Sequence, residues 1–230
     1  MLAERQESEG ILMSRKDGAG TLAAGGLLIV IFGIWTALIK TVDVRPLGQN
    51  GTDIGFAAFN CWFHRLTGVH MTVYHITDWL GLVAIFVGLM FAAVGLSQLV
   101  KRRSLFRVDK DILILGLYYL VVLLAYVVFE MVPINYRPVL IDGRLEPSYP
   151  SSTTLLILCV MPTLVEQVDR RVRRQSVKKA VRIVTALFSV CMVIGRLASG
   201  VHWLTDIAGA VPLSLGLFKI YKGSVMLCEK

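Results

Sequence analysis

Long apolar runs constrain the fold of this chain more than any other feature of its sequence. The clearest extends from Trp79 to Val100 and contains no charged residue. An α-helix needs about 20 mainly apolar residues to cross the hydrocarbon core of a bilayer. Comparable runs lie at about 22–39, 79–100, 112–130, 153–168, 180–197 and 203–221. We therefore predict an all-α fold, an integral membrane bundle of six transmembrane helices.

The composition supports this class. Hydrophobic residues make up 55% of the 230 residues and charged residues 17%, whereas a soluble domain usually carries about 25% charged residues. The deficit excludes a disordered chain and argues against a soluble enzyme. We expect one membrane domain over residues 21–222, between cytoplasmic tails at 1–20 and 223–230.

Basic residues predict the orientation of the spans. The N-terminal tail, the second-to-third loop, the fourth-to-fifth loop through Arg182 and the C-terminal end from Lys219 onward hold 18 of the 24 lysines and arginines. Because cytoplasmic loops carry the excess of positive charge, both termini are predicted to be cytoplasmic in a multi-pass protein of the cell membrane. The cluster Arg170–Lys179 lacks interleaved aromatic residues, so it fits a topology anchor facing anionic lipid better than a nucleic-acid site. We expect membrane lipids, and no nucleic acid, as partners.

The first outer loop, about 41–78, is long for a connection between spans. Its apolar residues at three- and four-residue spacing are Ile54, Phe56, Phe59, Phe63 and Leu66. This pattern predicts an amphipathic helix lying in the membrane interface; the alternative is a simple packing lid over the bundle. In the second outer loop, about 131–152, Asp142-Gly143 between apolar residues predicts a short hairpin.

Three polar clusters are predicted to lie on the outer, extracytoplasmic side of the membrane. They are Asn135 to Pro138 after the third span, Tyr149 to Thr154 at the start of the fourth, and Gly195 to Asp206 between the fifth and the sixth. Topology alone places all three at one membrane face.

The side chains of these clusters suit phosphoryl transfer. His202 and Asp206 are four residues apart, so on a helix they would share one face. A carboxylate there can fix the imidazole tautomer and leave the other nitrogen free to attack an electrophile. Arg137 and Arg196 offer planar forks that match phosphate oxygens.

The second cluster adds a predicted anion site. Ser151 and Ser152 precede an apolar run, as helix N-caps do, and the N-terminus of a helix attracts anions. Each piece also has a structural explanation: an interfacial anchor for either arginine, a simple cap for the serine, a satisfied buried pair for the histidine and aspartate. A carboxylate within a membrane span is costly, however, and points to function. The combination therefore favours a functional site.

The third cluster resembles the third signature of the type 2 phosphatidic acid phosphatase family, S-R-x5-H-x3-D, with Gly195 in place of the first serine. The second cluster resembles that family's P-S-G-H and retains Pro150 and Ser151. The first resembles K-x6-R-P and retains Arg137 and Pro138. The order of the signatures, their spacing and the six-span layout also match over most of the chain.

The resemblance implies a membrane-embedded phosphatase, without a metal or other cofactor, that hydrolyses a lipid phosphate or lipid diphosphate reached from the outer leaflet. His202 would attack phosphorus and form a phosphohistidine, and Asp206 would orient the imidazole. The phosphate oxygens would be held by Arg137, Ser151, Ser152 and Arg196.

Two positions depart from the pattern of the family. Glu130 stands at the lysine of the first signature, and Thr153 at the histidine of the second, which in the family protonates the leaving group. Glu130 is a candidate acid if it is protonated; the alternative is that it only caps the third span. The first-loop histidines, His64, His70 and His75, are further candidates.

The missing histidine bears on the substrate. A lipid alkoxide leaves poorly without a proton donor, whereas a phosphate leaves a diphosphate more readily. This predicts a preference for lipid diphosphates, such as polyprenyl diphosphates, unless Glu130 or a first-loop histidine supplies the proton. Two alternative functions are a catalytically degenerate binder or transporter of a phospholipid headgroup, and a lipid phosphotransferase. The sequence predicts no particular oligomeric state.

Overall fold

The computed structural model describes residues 2–228, with side chains over residues 15–228. Within these bounds the chain forms seven α-helices: α1 (Leu2–Thr41), α2 (Ala57–Thr67), α3 (Met71–Arg102), α4 (Lys110–Met131), α5 (Ser152–Arg171), α6 (Gln175–Ala198) and α7 (Leu204–Cys228). Short 3-10 turns lie at Gln49–Gly51 and Leu105–Arg107. Lys230, which the charge count assigned to the cytoplasm, lies outside the described residues.

Six helices in residues 15–228 are long and apolar enough to cross a membrane, namely α1 from Arg15 onward and α3 to α7. The predicted six-span membrane bundle is therefore confirmed. Each helix is longer than the apolar run that predicted it, because polar residues continue it past the hydrocarbon. The N-terminal segment predicted as a tail is helical from Leu2, and α3 begins at Met71, two turns before Trp79.

The helices α5 and α7 form the centre of the bundle. Half of the apolar segment of each is buried inside the protein, against about a fifth for the other four spans. Leu155 and Ile157 of α5 and Tyr221 and Val225 of α7 belong to one buried core. Because protein rather than lipid surrounds these two spans, they carry more polar residues than the peripheral spans and have lower mean hydropathy.

Glycines allow α1 and α7 to pack with their backbones almost in contact. A Cβ atom on Gly25 would lie 2.9 Å from the carbonyl oxygen of Gly216, and one on Gly223 would lie 2.9 Å from that of Gly18. On each helix the two glycines are seven residues apart, which puts them on one face. Close packing of this kind is a usual source of helix association in membranes.

The first outer loop contains the predicted amphipathic helix, α2. Phe59 and Trp62 are exposed on its outer side, whereas Asn60 is fully buried and donates a hydrogen bond of 2.9 Å to the Thr205 hydroxyl of α7. The helix begins at Ala57, later than the apolar pattern suggests, because Ile54 forms an extended bridge with Arg45.

The second outer loop contains the predicted hairpin. Ile141 and Arg144 pair in an antiparallel bridge, and Asp142 and Gly143 between them have φ values of 49° and 74°. Two left-handed residues in succession are typical of the two-residue turn that matches strand twist. The turn folds residues 131–151 back over the bundle.

The glycine contact between α1 and α7 can be tested with one methyl group. We expect Gly25→Ala to lower stability by about 1–3 kcal/mol, the usual cost of overpacking, because the new Cβ would meet Ile220 and the Gly216 backbone at under 3 Å. Gly26→Ala is the matched control, since its Cβ would meet nothing within 4 Å. The measurement is thermal unfolding in a mild detergent, and equal melting temperatures for the two variants would contradict this packing.

Candidate active site

The three polar clusters meet at one end of the bundle, where α4 and α6 end and α5 and α7 begin, and Asp206 connects them. Its side chain is fully buried and accepts hydrogen bonds from the Trp203 backbone N–H at 2.9 Å and from the Asn135 amide at 3.3 Å. Its main-chain carbonyl accepts a third, from the Ser151 N–H at 3.2 Å. One residue at the start of α7 thus joins the α4–α5 loop, the N-terminus of α5 and the α6–α7 loop.

His202 is buried, and its hydrogen bonds define its tautomer. Its Nδ1 lies 3.1 Å from the carbonyl oxygen of Ser148. A carbonyl can only accept a hydrogen bond, so Nδ1 carries the proton and Nε2 carries the lone pair. The lone pair is the part of a neutral imidazole that attacks an electrophile.

Asp206 does not contact His202 in the way that the sequence spacing suggests. The two residues do not share a helical face, because His202 lies in the turn before α7 and only Asp206 is helical. The distance from His202 Nδ1 to Asp206 Oδ2 is 3.8 Å, longer than a hydrogen bond. The Ser148 carbonyl takes the orienting position, while Asp206 holds the loop that carries His202.

Two guanidinium groups lie against His202 Nε2. Arg137 Nη1 is 3.4 Å away and Arg196 Nη2 is 3.2 Å away. Both arginines are buried, Arg196 at 1% exposure, and both lie over the ring of Tyr74, at 5.7 Å and 4.9 Å from its centroid. Within residues 15–228, Arg196 Nε has no hydrogen-bond partner, so donor capacity is available there for an anion.

The same charges keep His202 neutral. Burial lowers the pKa of the imidazole well below its usual range, and the positive charges of Arg137 and Arg196 lower it further. The hydrogen bond to the Ser148 carbonyl acts in the opposite direction but does not outweigh them. The unprotonated Nε2 is therefore the resting form of the histidine at neutral pH.

Two carboxylates flank the arginines from the outside. Glu146 Oε2 is 3.2 Å from Arg137 Nε, and Asp78 Oδ1 is 3.7 Å from Arg196 Nη1. Asp78 is 59% exposed and Glu146 36% exposed. Both partly offset the buried positive charge from positions at the mouth of the site.

The serines of the second cluster begin α5. Ser151 is its fully buried N-cap residue, and its hydroxyl donates to the Thr154 hydroxyl at 3.0 Å. The N–H groups of the first helical turn, starting at Ser152, have no partner within the helix. Thr153, at the position of the family's histidine, is directed at α3, where its methyl group lies against Gly81.

The candidate acids named from the sequence lie around this site. Glu130 is exposed at the end of α4 and borders a small cavity with Ser152. The first-loop histidines have other contacts: His64 Nε2 is 3.0 Å from the Gly200 carbonyl, His70 Nε2 is 2.9 Å from the Thr67 carbonyl, and His75 is exposed.

The glycine at the first position of the third signature has a partner on α3. A Cβ atom at Gly195 would lie 2.7 Å from the methyl group of Thr77. The Thr77 hydroxyl lies 3.4 Å from Arg196 Nη1, within hydrogen-bond range. Thr77 therefore fills the space beside Gly195 and contacts the arginine that follows it.

Sequence reasoning missed four groups of this site. Tyr74, Thr77 and Asp78 precede the charge-free run of α3 and were assigned to the outer loop, although their spacing of three and four residues is helical. Ser148 acts through its main-chain carbonyl, for which no side-chain pattern exists.

A groove of about 650 Å³ is lined by residues of α3, α4 and α5. Its outer end is lined by Asp78, Ser152 and Thr153, and most of the remaining lining is apolar. Through Asp78, which also lies 3.7 Å from Arg196 Nη1, this end of the groove adjoins the arginine pair.

Comparisons with known proteins agree with this arrangement. The PAP2 superfamily model matches residues 112–225. The fold resembles the crystal structure of a transmembrane PAP2-type phosphatidylglycerolphosphate phosphatase from Bacillus subtilis, with a TM-score of 0.65 and 20% sequence identity, over 90% of this chain and 98% of that one. No curated protein matches the sequence significantly.

The matched segment covers α4 to α7, apart from the first residues of α4 and the last of α7, and the three clusters that meet around His202. The fold around it is that of a multi-pass membrane protein. The predicted family resemblance is confirmed by the match of residues 112–225 to the PAP2 superfamily model.

Proposed function

We propose that this protein is a membrane phosphatase that hydrolyses a lipid phosphate or lipid diphosphate through a phosphohistidine on His202. The observation that carries the proposal is the placement of the His202 lone pair. Nε2 is unprotonated, because Nδ1 donates to Ser148, and it lies between the guanidinium groups of Arg137 and Arg196. A nucleophile and two planar phosphate-binding groups thus converge on one point.

The chemistry follows from this geometry. A phosphate bound by Arg137 and Arg196 places its phosphorus within reach of His202 Nε2, and the two positive charges offset the negative charge of the transferring group. Attack forms the N–P bond and breaks the bond to the leaving oxygen. Water then attacks phosphorus and restores the histidine. The Ser148 carbonyl holds the imidazole in one tautomer throughout, and Asp206 holds the loop.

The substrate class follows from the apolar groove between α3, α4 and α5. Asp78 lines one end of the groove and lies 3.7 Å from Arg196, and the walls are lined by leucine, isoleucine, valine and alanine side chains. A lipid whose chain lies in this groove would present its phosphate to His202. We therefore expect a single-phosphate or diphosphate headgroup on a membrane lipid, taken from the outer leaflet.

The two other functions predict different products. A degenerate binder or transporter of headgroups would bind lipid phosphate and release no inorganic phosphate. A phosphotransferase would consume the lipid phosphate but transfer the phosphoryl group to an acceptor other than water. The neutral, oriented His202 favours turnover over simple binding, since a binding site for an anion gains from a protonated histidine.

The first prediction concerns the nucleophile. His202→Ala should abolish phosphate release from a panel of lipid mono- and diphosphates in detergent, and an acid-labile phosphoenzyme should be trapped in the parent but not in the variant. His70→Ala, which removes an exposed histidine of the same face, should retain both. Full activity in His202→Ala would rule out a covalent phosphohistidine, and lipid binding without phosphate release in the parent would favour the non-enzymatic function.

The second prediction concerns pH. Because the pKa of His202 is lowered, its neutral form persists to lower pH, and the acid limb of kcat/KM should lie below the ordinary histidine value of about 6.5. Arg137→Gln removes one of the charges that lower this pKa, so the limb should move to higher pH while activity falls. Arg144→Gln, which removes an exposed charge from the same loop, should leave the limb in place. A limb unmoved by Arg137→Gln would contradict the electrostatic coupling.

The third prediction concerns orientation. With the four native cysteines replaced by alanine, Asp142→Cys should react with a membrane-impermeant thiol reagent in intact cells. Gln175→Cys, near the predicted cytoplasmic cluster, should react only after permeabilisation. The reverse pattern would place the site in the cytoplasm and would overturn the choice of outer-leaflet substrates.

A further inference from the structure

Asp78 is the ionisable carboxyl group that the groove and the arginine pair share. It lies on α3, with Oδ1 at 3.7 Å from Arg196 Nη1. It also lines the outer end of the groove together with Ser152 and Thr153. One turn further along α3, Gly81 contacts the methyl group of Thr153, so the carboxyl lies on the same side of the site as the residue at the family's histidine position.

The expected position of the lipid substrate defines which of its oxygens lies next to Asp78. The phosphate lies at Arg137 and Arg196, and the lipid chain lies in the groove. The oxygen that joins them must therefore lie between the arginines and the end of the groove, and Asp78 is the residue that borders both. In a displacement by His202 this is the leaving oxygen, and a lipid alcohol is too weak an acid to leave unprotonated at a useful rate. The threonine hydroxyl of Thr153 is itself too weak an acid to supply the proton.

We infer that Asp78 is the leaving-group acid of this site and takes the place of the missing histidine. The inference rests on the proposed function, which it extends by one catalytic residue. A phosphate bound to Arg196 brings negative charge next to the Asp78 carboxylate, and two neighbouring anions favour sharing one proton. The exposed carboxyl can take that proton from solvent or from the substrate monoanion.

The steps balance with Asp78 in this role. His202 Nε2 forms a bond to phosphorus, the bond between phosphorus and the lipid oxygen breaks, and the Asp78 proton goes to that oxygen to give the lipid alcohol. The resulting carboxylate is stabilised by Arg196. Water then attacks phosphorus, the N–P bond to His202 breaks, and Asp78 accepts the proton of that water, so that inorganic phosphate leaves and both residues return to their starting forms.

Other proton-bearing groups near the site are less well placed. Glu130 is at the end of α4, where it borders a small cavity outside the groove. Glu146 pairs with Arg137 and does not line the groove. Tyr126 lines the groove, but a phenol is a weaker acid than a carboxyl by several orders of magnitude.

The inference changes the substrate preference expected from the sequence. With Asp78 as proton donor, lipid monophosphates are substrates of the parent chain on a par with diphosphates. A preference for diphosphates follows from the absence of an acid, so we expect it only in a variant that lacks the Asp78 carboxyl. The two substrates therefore report separately on the acid and on the rest of the site.

The experiment compares kcat/KM for an alkyl monophosphate and an alkyl diphosphate of the same chain length. Asp78→Asn should lower the monophosphate value by about 10²–10⁴-fold, the usual contribution of a general acid, and the diphosphate value by less than 10-fold. Asp78→Glu should recover part of the loss. Thr153→His added to Asp78→Asn should raise the monophosphate value selectively, because it restores a donor at the second signature.

Asp142→Asn is the matched control, since it removes an exposed carboxylate from the same face at a turn position that asparagine also adopts. It should leave the ratio of the two values unchanged. An equal fall for both substrates in Asp78→Asn, or no fall, would overturn the inference while leaving the His202-dependent activity in place. A selective fall in Glu130→Gln or Tyr126→Phe instead would assign the proton to that residue. A parent chain that releases phosphate from neither substrate would overturn the proposed function and this inference together.

Discussion

The arrangement of two buried guanidinium groups against one neutral imidazole is the interaction on which the rest of this site depends. Burying a charge away from water is costly unless it is paired, and here two like charges lie over the same tyrosine ring. Glu146 and Asp78 reach them only from the mouth of the site, and Arg196 Nε has no partner within the described residues. In the proposed function, a bound phosphate would supply the missing negative charge, so the site would gain electrostatic stability from its ligand.

Such a cluster requires a rigid frame, and the bundle supplies one through its central helices. Asp206 at the start of α7 ties three loops together by hydrogen bonds, and a fully buried asparagine of α2, Asn60, bonds the neighbouring Thr205. Behind this layer, Gly25 and Gly216 bring α1 against α7 at backbone distance. The polar residues that position His202 are thus carried by helices that cannot shift without opening close-packed surfaces.

The features that the sequence predicted are those that depend on local pattern. Apolar runs locate the six spans, apolar residues at three- and four-residue spacing locate α2, and Asp142-Gly143 locates the hairpin. The features it missed depend on tertiary contact. The Ser148 carbonyl has no side-chain signature, and His202 lies in a turn where a spacing of four residues does not bring it against Asp206. Helical spacing predicts proximity only for residues that are both in the helix.

Residues of α3 lie against two of the positions at which the signatures are altered. One face of α3 is formed by Tyr74 and by the residues three, four and seven positions after it, Thr77, Asp78 and Gly81. The tyrosine ring lies under both arginines, Thr77 fills the space beside Gly195, and Gly81 receives the methyl group of the threonine that replaces the histidine. The superfamily match begins at residue 112, after α3 has ended. Gly195 and Thr153, the two altered positions that contact α3, therefore each have a complementary residue outside the matched segment. Judged from the signatures alone, this site would look more degenerate than its geometry is.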